Sequence, residues 1–130
     1  MVDFKNLKVW YRVVDLAVVV YEVIKRFPED ERYVLTNQLR RASVSVFSNI
    51  VEGCRSGTDG ELIYFLGKAR GSCAEVEAQL IFAGRVGLVD EGRVTKLIRE
   101  CEEVSRMISG YIKYLRGKFD KDIKTKRAKE

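Results

Sequence analysis

Histidine is absent from this 130-residue chain. Its absence removes the commonest general base, the commonest transition-metal ligand and the one side chain that ordinarily titrates near neutral pH. Any catalysis falls to carboxylates, Lys, Tyr or Cys. Cysteine is scarce: Cys54, Cys73 and Cys101 are odd in number, far apart and in no CxxC spacing, so neither a disulfide framework nor a zinc site is indicated. Reduced thiols in the cytoplasm fit, with Cys73 and Cys101 as small buried hydrophobes at apolar helical positions. Apolar runs are short as well. Arg12 and Asp15 interrupt the first before it reaches membrane-spanning length, and the start around Asp3 lacks the apolar core of a signal peptide. The stretch Gly53 to Gly60 lacks the Gly-Lys-Ser/Thr ending of a phosphate-cradling loop. No metal, no cofactor and no membrane contact are therefore expected.

Proline occurs once, as Pro28, and its scarcity favours long uninterrupted helices. Hydrophobic residues make up 46% and charged residues 33% of a chain whose length suits one domain around one core. The three-four spacing of apolar residues predicts helix 1 from about Leu7, with Asn6 as N-cap, to Arg26. Its core stripe is Trp10, Val13, Val14, Ala17, Val20, Tyr21 and Ile24, with Val9, Leu16 and Val23 as a second line. Phe27-Pro28 ends it, because the residue before proline is pushed out of the helical region. Helix 2 extends, after an irregular turn near Tyr33, to Glu52 or Cys54. Helix 3 runs from Gly60 or Glu61 to Val86, and helix 4 from an Asp90 cap to about Leu115. Short loops join them. The expected fold is all-α, an antiparallel up-down-up-down four-helix bundle over residues 1–115 followed by a basic C-terminal tail, 116–130. The six tyrosines, Tyr11, Tyr21, Tyr33, Tyr64, Tyr111 and Tyr114, offer rings that can stack on bases, but they are scattered through core-spaced helices and are expected mostly to pack, with a hydrogen-bonding tip.

Helix 2 departs from a simple amphipathic pattern. At about 100° per residue, Gln38, Arg41, Ser45, Asn49 and Glu52 fall within roughly 80° of one another and form one polar stripe. Leu39, Ala42, Val46 and Ile50 fill the neighbouring sector, and Val44, Phe47 and Val51 the sector beyond. A surface helix needs only one apolar stripe. Helix 3 carries a matching polar line, Lys68, Ser72, Glu75 and Gln79, and on the side away from the core a flat ridge of Gly67, Gly71, Ala74 and Ala78. Glycine inside a helix costs up to about 1 kcal/mol relative to alanine, so the ridge is expected to receive a neighbouring backbone. Val44, Phe47, Val51, Gly67, Gly71 and Ala74 are accordingly the expected contacts of a homo-oligomer.

Antiparallel pairing of helices 2 and 3 about Gly57 places opposite one another residues whose numbers sum to roughly 114 to 117. Arg41 then lies near Ser72 and Glu75, Gln38 near Glu75 and Gln79, and Asn49 near Lys68. The two lines are expected to meet in a polar seam, with an Arg41–Glu75 ion pair surrounded by Ser45, Ser72 and Asn49. Such a seam can fix helix register, or it can present Arg41, Asn49 and Lys68 to a phosphate backbone or an acidic partner. An enzymatic reading pairs Glu52 with Glu75 as acid and base. With no histidine, no nucleophile motif and no metal-ligand spacing beside them, a non-enzymatic protein is expected.

The net charge of +5 is uneven, since Arg116 to Glu130 holds seven bases and three acids, a net +4. The body is nearly neutral. Attraction for polyanions therefore concentrates in the tail, which reads as a frayed, apolar-poor extension.

Several motifs lie together along this framework: Phe4-Lys5-Asn6-Leu7-Lys8-Val9-Trp10, Phe27-Pro28, Gln38-Leu39-Arg40-Arg41-Ala42 through Ser45, Ser48-Asn49-Ile50-Val51-Glu52-Gly53, and Phe65-Leu66 with Ala69-Arg70-Gly71-Ser72 and Glu75. Over roughly Phe4 to Leu115 the chain resembles the four-helix-bundle proteins encoded in intervening sequences of bacterial 23S ribosomal RNA genes. It is more distantly similar to the accessory variability proteins of diversity-generating retroelements, basic pentameric barrels that bind nucleic acid and a reverse transcriptase. Val51 stands where the family usually has alanine. The resemblance implies a ring-like homo-oligomer, a pentamer, with RNA or another nucleic acid as partner. Arg40, Arg41, Arg70, Lys121, Lys124, Lys126 and Arg127 are the expected phosphate contacts. The rival expectation is an adaptor whose partner is a protein, with no nucleic acid involved.

Overall fold

In a computed structural model that describes residues 1–129, with all their side chains except those of Arg32, Tyr33 and Phe119, the described chain folds as four long helices: α1 (Lys8–Ile24), α2 (Asn37–Arg55), α3 (Asp59–Arg85) and α4 (Glu91–Ala128). Their starts follow capping chemistry. The Thr58 hydroxyl accepts from the Glu61 amide at 3.2 Å to open α3, and the Asp90 carboxylate accepts from the Arg93 amide at 3.3 Å to open α4. Asn6 does not cap α1. Asp3 instead accepts from the Lys5 amide at 3.0 Å, capping a short 3-10 turn over Phe4–Asn6, and α1 begins after Leu7 without a side-chain cap. The Val2 amide donates to the Cys54 carbonyl at 3.1 Å, which ties the start of the chain to the end of α2. Beyond Phe27-Pro28, a 3-10 turn at Glu29–Glu31 and a π-helical turn at Arg32–Thr36 form the irregular entry to α2 expected near Tyr33. Gly57, at φ 87°, and Gly87, at φ 82°, supply the left-handed conformations at which the chain reverses.

Contacts between neighbouring helices run in opposite numerical directions. Ser45 faces Ser72, while Gly53 faces Leu62, so α2 and α3 are antiparallel with the offset expected. Arg70 reaches Ser109 and Lys118 reaches Asp59 across α3 and α4, Arg12 reaches Glu100 across α1 and α4, and Tyr21 and Trp10 meet Arg40 and Phe47 across α1 and α2. The core lines of α2, α3 and α4 are buried as the periodicity indicates, with Leu39, Ile50, Leu66, Leu80 and Ile108 fully enclosed. In α1 the core is rolled toward the line expected to be secondary. Val9, Leu16 and Val23 of that line are buried together with Val13, Ala17, Val20 and Ile24 of the expected stripe, whereas Trp10 and Val14 are half-buried and Tyr21 is exposed. Both lines are apolar, and the bundle encloses the compact aliphatic members of each; Trp10 packs at the rim, edge-on to Phe4 and Phe47 with ring centroids 4.6 and 5.9 Å away.

Helix α4 does not stop near Leu115, and most of the basic segment is helical. The helix continues through Gly117 to Ala128. No proline or capping residue interrupts it, Asp120 and Asp122 stand four residues before Lys124 and Lys126, and a basic final turn suits the negative end of the helix dipole. Lys118 lies 3.6 Å from Asp59, the first residue of α3, so the following ten residues carry α4 about 15 Å past that point.

The glycines divide by what surrounds them. A Cβ on Gly53 meets Leu62 Cδ1 and Phe65 Cβ at 3.0 Å, whereas a Cβ on Gly67 or Gly71 meets nothing within 4 Å. The backbone expected against the α3 ridge is therefore not supplied by this chain. Gly53→Ala should lower the urea midpoint, because overpacking of about 1–3 kcal/mol outweighs a helix-propensity gain of at most about 1 kcal/mol. Gly67→Ala and Gly71→Ala should stabilise the protomer by up to about 1 kcal/mol each in the same assay.

Candidate interaction surfaces

The polar lines of α2 and α3 meet at their centre. Ser45 Oγ and Ser72 Oγ are 2.9 Å apart, and the Asn49 amide nitrogen donates to the Ser45 carbonyl at 2.8 Å and to Ser45 Oγ at 3.0 Å. These half-buried groups satisfy one another. The expected Arg41–Glu75 ion pair is not formed: both side chains are exposed, and among the described residues neither appears in an ion pair. Solvation of two exposed charges competes with a surface pair worth little in water. Lys68 turns from Asn49 and lies over the rings of Tyr64 and Phe65, 5.6 and 5.8 Å from their centroids. Gln38 and Glu52 are exposed, and the Gln79 amide oxygen is buried without a partner among the described residues. Glu52 and Glu75 lie on opposite sides of the Ser45–Ser72 contact, about 15 Å apart along the helix axes, too far to act together as acid and base.

The expected phosphate contacts do not form one patch. Arg40 lies 5.4 Å from the centroid of Tyr21 on the α1–α2 side, and Arg70 donates to Ser109 Oγ at 3.1 Å on the α3–α4 side. Arg41 borders the seam. Lys121, Lys124, Lys126 and Arg127 are all exposed on the α4 extension, where Lys126 lies near Gly57 and Asp59. Lys121 instead shares a shallow groove with Gly110, Lys113, Tyr114, Gly117 and Lys118. Lys113, Tyr114 and Lys118 were not marked by the apolar pattern, although their spacing from Lys121 is helical. A helix ending near Leu115 would leave Lys118 and Lys121 off that face; its continuation to Ala128 brings them onto it. The tyrosines also differ from expectation: Tyr11, Tyr64 and Tyr114 are 57, 61 and 64% exposed, Tyr21 is exposed and Tyr111 half-buried, while the Tyr33 side chain lies outside the described residues.

Among the described residues two apolar faces have no partner within the chain. Val44 and Phe47, both half-buried, join Val14, Val18 and Tyr21 along an α1–α2 groove, and Val51 continues half-buried one turn further on α2. On α3, Gly67, Gly71, Ala74 and Ala78 run between exposed Tyr64 and exposed Phe82. Among the described residues no group of three or more Cys, Asp or Glu is arranged to hold a metal ion, and no helix is long and apolar enough to cross a membrane.

A family model described as 23S rRNA-intervening sequence protein matches residues 5–110. The chain is also similar in structure to a protein with unknown function from the S23 ribosomal protein family of Bacteroides thetaiotaomicron VPI-5482. That crystal structure superposes with a TM-score of 0.72 at 20% sequence identity, over 81% of this chain and 98% of the other. No curated protein matches the chain.

The three thiols are buried and away from these surfaces. Burial, with a smaller contribution from Asp3, raises the Cys54 thiol above its ordinary value, and the facing Cys73 together with burial pushes Cys101 far up. Both shifts oppose the thiolate that a nucleophile needs. A folded pKa raised above the unfolded one contributes stability below the unfolded value and loses it as pH rises. Chemical stability should therefore decline as pH climbs beyond about 8.5, where an unfolded thiol ionises. Urea unfolding of the wild type and Cys54→Val across pH 7 to 10 should show a shallower decline in the variant.

Proposed function

Because the chain belongs to the 23S rRNA-intervening sequence protein family, we propose that it acts as a non-enzymatic, homo-oligomeric four-helix scaffold that associates with RNA through its α4 extension. The carrying observation is that extension: a continuous helix running past the start of α3, with every described residue from Arg116 to Lys129 exposed. A basic, exposed helix end that runs past the α2–α3 turn of a nearly neutral body concentrates the molecule's attraction for phosphate where a long polyanion can reach it. Lys121, Lys124, Lys126 and Arg127 supply the contacts. Arg40 and Arg70, engaged with Tyr21 and Ser109 on different sides, take a lesser part.

The two unpartnered apolar faces support the assembly. The groove of Val44 and Phe47 and the ridge of Gly67, Gly71 and Ala74 are different surfaces. A head-to-tail contact between them generates a ring when the rotation closes, with a pentamer as the proposed count. Each ring then carries several basic extensions, and linked weak sites bind a long RNA more tightly than one alone. Such a protein works in the cytoplasm without metal or cofactor. The alternative is an adaptor that engages a protein through the same apolar faces.

Light scattering at micromolar concentration should find a closed oligomer of the wild type and a monomer of Val44→Glu/Phe47→Glu; a monomeric wild type would overturn the assembly. Fluorescence anisotropy with labelled RNA should show affinity falling steeply with salt. Replacing Lys121, Lys124, Lys126 and Arg127 by alanine should flatten the log–log salt slope by about 3. Binding indifferent to both salt and these substitutions would favour the adaptor.

A further inference from the structure

We propose that the outward face of α4 from Gly110 to Lys121 is a binding site for single-stranded RNA, in which Tyr114 stacks on an unpaired base and Lys113 and Lys121 hold the flanking phosphates. The inference rests on the RNA-binding reading and deepens it with a site that begins on the bundle at Gly110 and shares Lys121 with the extension. Gly110, Lys113, Tyr114, Gly117, Lys118 and Lys121 line one shallow groove with no carboxylate among them. Their spacing puts them on one face of the helix, and Lys113 and Lys121 stand about 12 Å apart along its axis with Tyr114 between them.

Tyr114 is 64% exposed, and its ring is stacked on that of half-buried Tyr111, 21° from parallel with centroids 6.3 Å apart. The inner tyrosine backs the outer one. A large aromatic face held in this way is a preformed stacking platform, and every base has a face to offer it. On either side the floor is flat, because a Cβ on Gly110 or Gly117 meets nothing within 4 Å. Both glycines weaken an exposed helix relative to alanine, and their gain is close approach of a strand to the helix backbone. Among the described residues Lys113 and Lys121 have no carboxylate within ion-pair distance, whereas Lys118 lies 3.6 Å from Asp59. The two lysines flanking the platform therefore have their charge available for phosphate.

These features select a single strand. Stacking on Tyr114 needs a base that is not paired, and the major groove of an RNA duplex is too deep and narrow for side chains to read. The groove is lined by α4 residues alone, none of which belongs to the apolar faces of α1–α2 and α3.

The test is anisotropy of the full-length protein with a labelled oligouridylate of about ten nucleotides, beside a duplex RNA of equal length. The wild type should prefer the single strand. Tyr114→Ala should weaken single-strand binding by about 5- to 100-fold with the salt slope unchanged, and Tyr114→Phe should retain it. Lys113→Ala/Lys121→Ala should flatten the single-strand salt slope by about 1.4. Circular dichroism should show unchanged helix content in each variant. Wild-type binding that survives these changes but is lost in Lys124→Ala/Lys126→Ala/Arg127→Ala would overturn the site and leave the RNA reading intact. No wild-type binding to either RNA would overturn both. Equal affinity for the duplex would remove the stacking step, and displacement of RNA by oligoglutamate at equal strength would mark a surface for an acidic protein instead.

Discussion

The close approach of α2 and α3 organises the rest of the molecule. It is possible because the residues along their contact are small: a Cβ on Gly53 would crowd Leu62 and Phe65 at 3.0 Å, and Ser45 and Ser72 meet hydroxyl to hydroxyl at 2.9 Å. A one-residue slip would break that hydrogen bond and drive Gly53 out of its gap. Buried polar contacts of this kind specify one arrangement among several of similar packing energy. With register set, the Gly57 turn, the Thr58 cap and the Asp59 contact to Lys118 follow in order, the last of these lying where α4 passes the start of α3.

The same contact also decides which polar residues are available to a partner. Ser45, Asn49 and Ser72 satisfy one another, so the centre of the stripe is structural. Arg41 and Glu75, pointing into solvent, do not close the seam as an ion pair. The surfaces left over are the α1–α2 groove, the α3 ridge and the outer face and extension of α4. The first two are apolar and the third basic, so the proposed assembly and the proposed recognition draw on different surfaces.

Much of this architecture was legible because helical periodicity is a local property. The buried lines of α2, α3 and α4, the Asp90 cap, the irregular turn near Tyr33 and the offset between α2 and α3 all follow from spacing and capping chemistry within a few turns. The roll of α1 was not legible. Trp10, Val14 and Tyr21 form as good a helical stripe as Val9, Leu16 and Val23, and only packing against α2 and α4 distinguishes them. Tyrosine spacing misled for the same reason: Tyr114 lies close to core positions on the wheel yet faces solvent on Tyr111.

The candidate site shows the division most clearly. Sequence by itself determined an all-helical chain without histidine chemistry, a basic C-terminal segment, two matching polar lines and the motifs of the 23S rRNA-intervening sequence protein family, since composition and periodicity survive without knowledge of neighbours. Tertiary structure alone decided that Gly117 lies within a helix, that Lys113, Tyr114 and Lys121 share one open face, and that Arg40 and Arg70 lie on different sides of the bundle. The physical reason is that exposure and adjacency depend on where other helices lie. A glycine read along the chain marks a helix end as readily as a flat place on its surface.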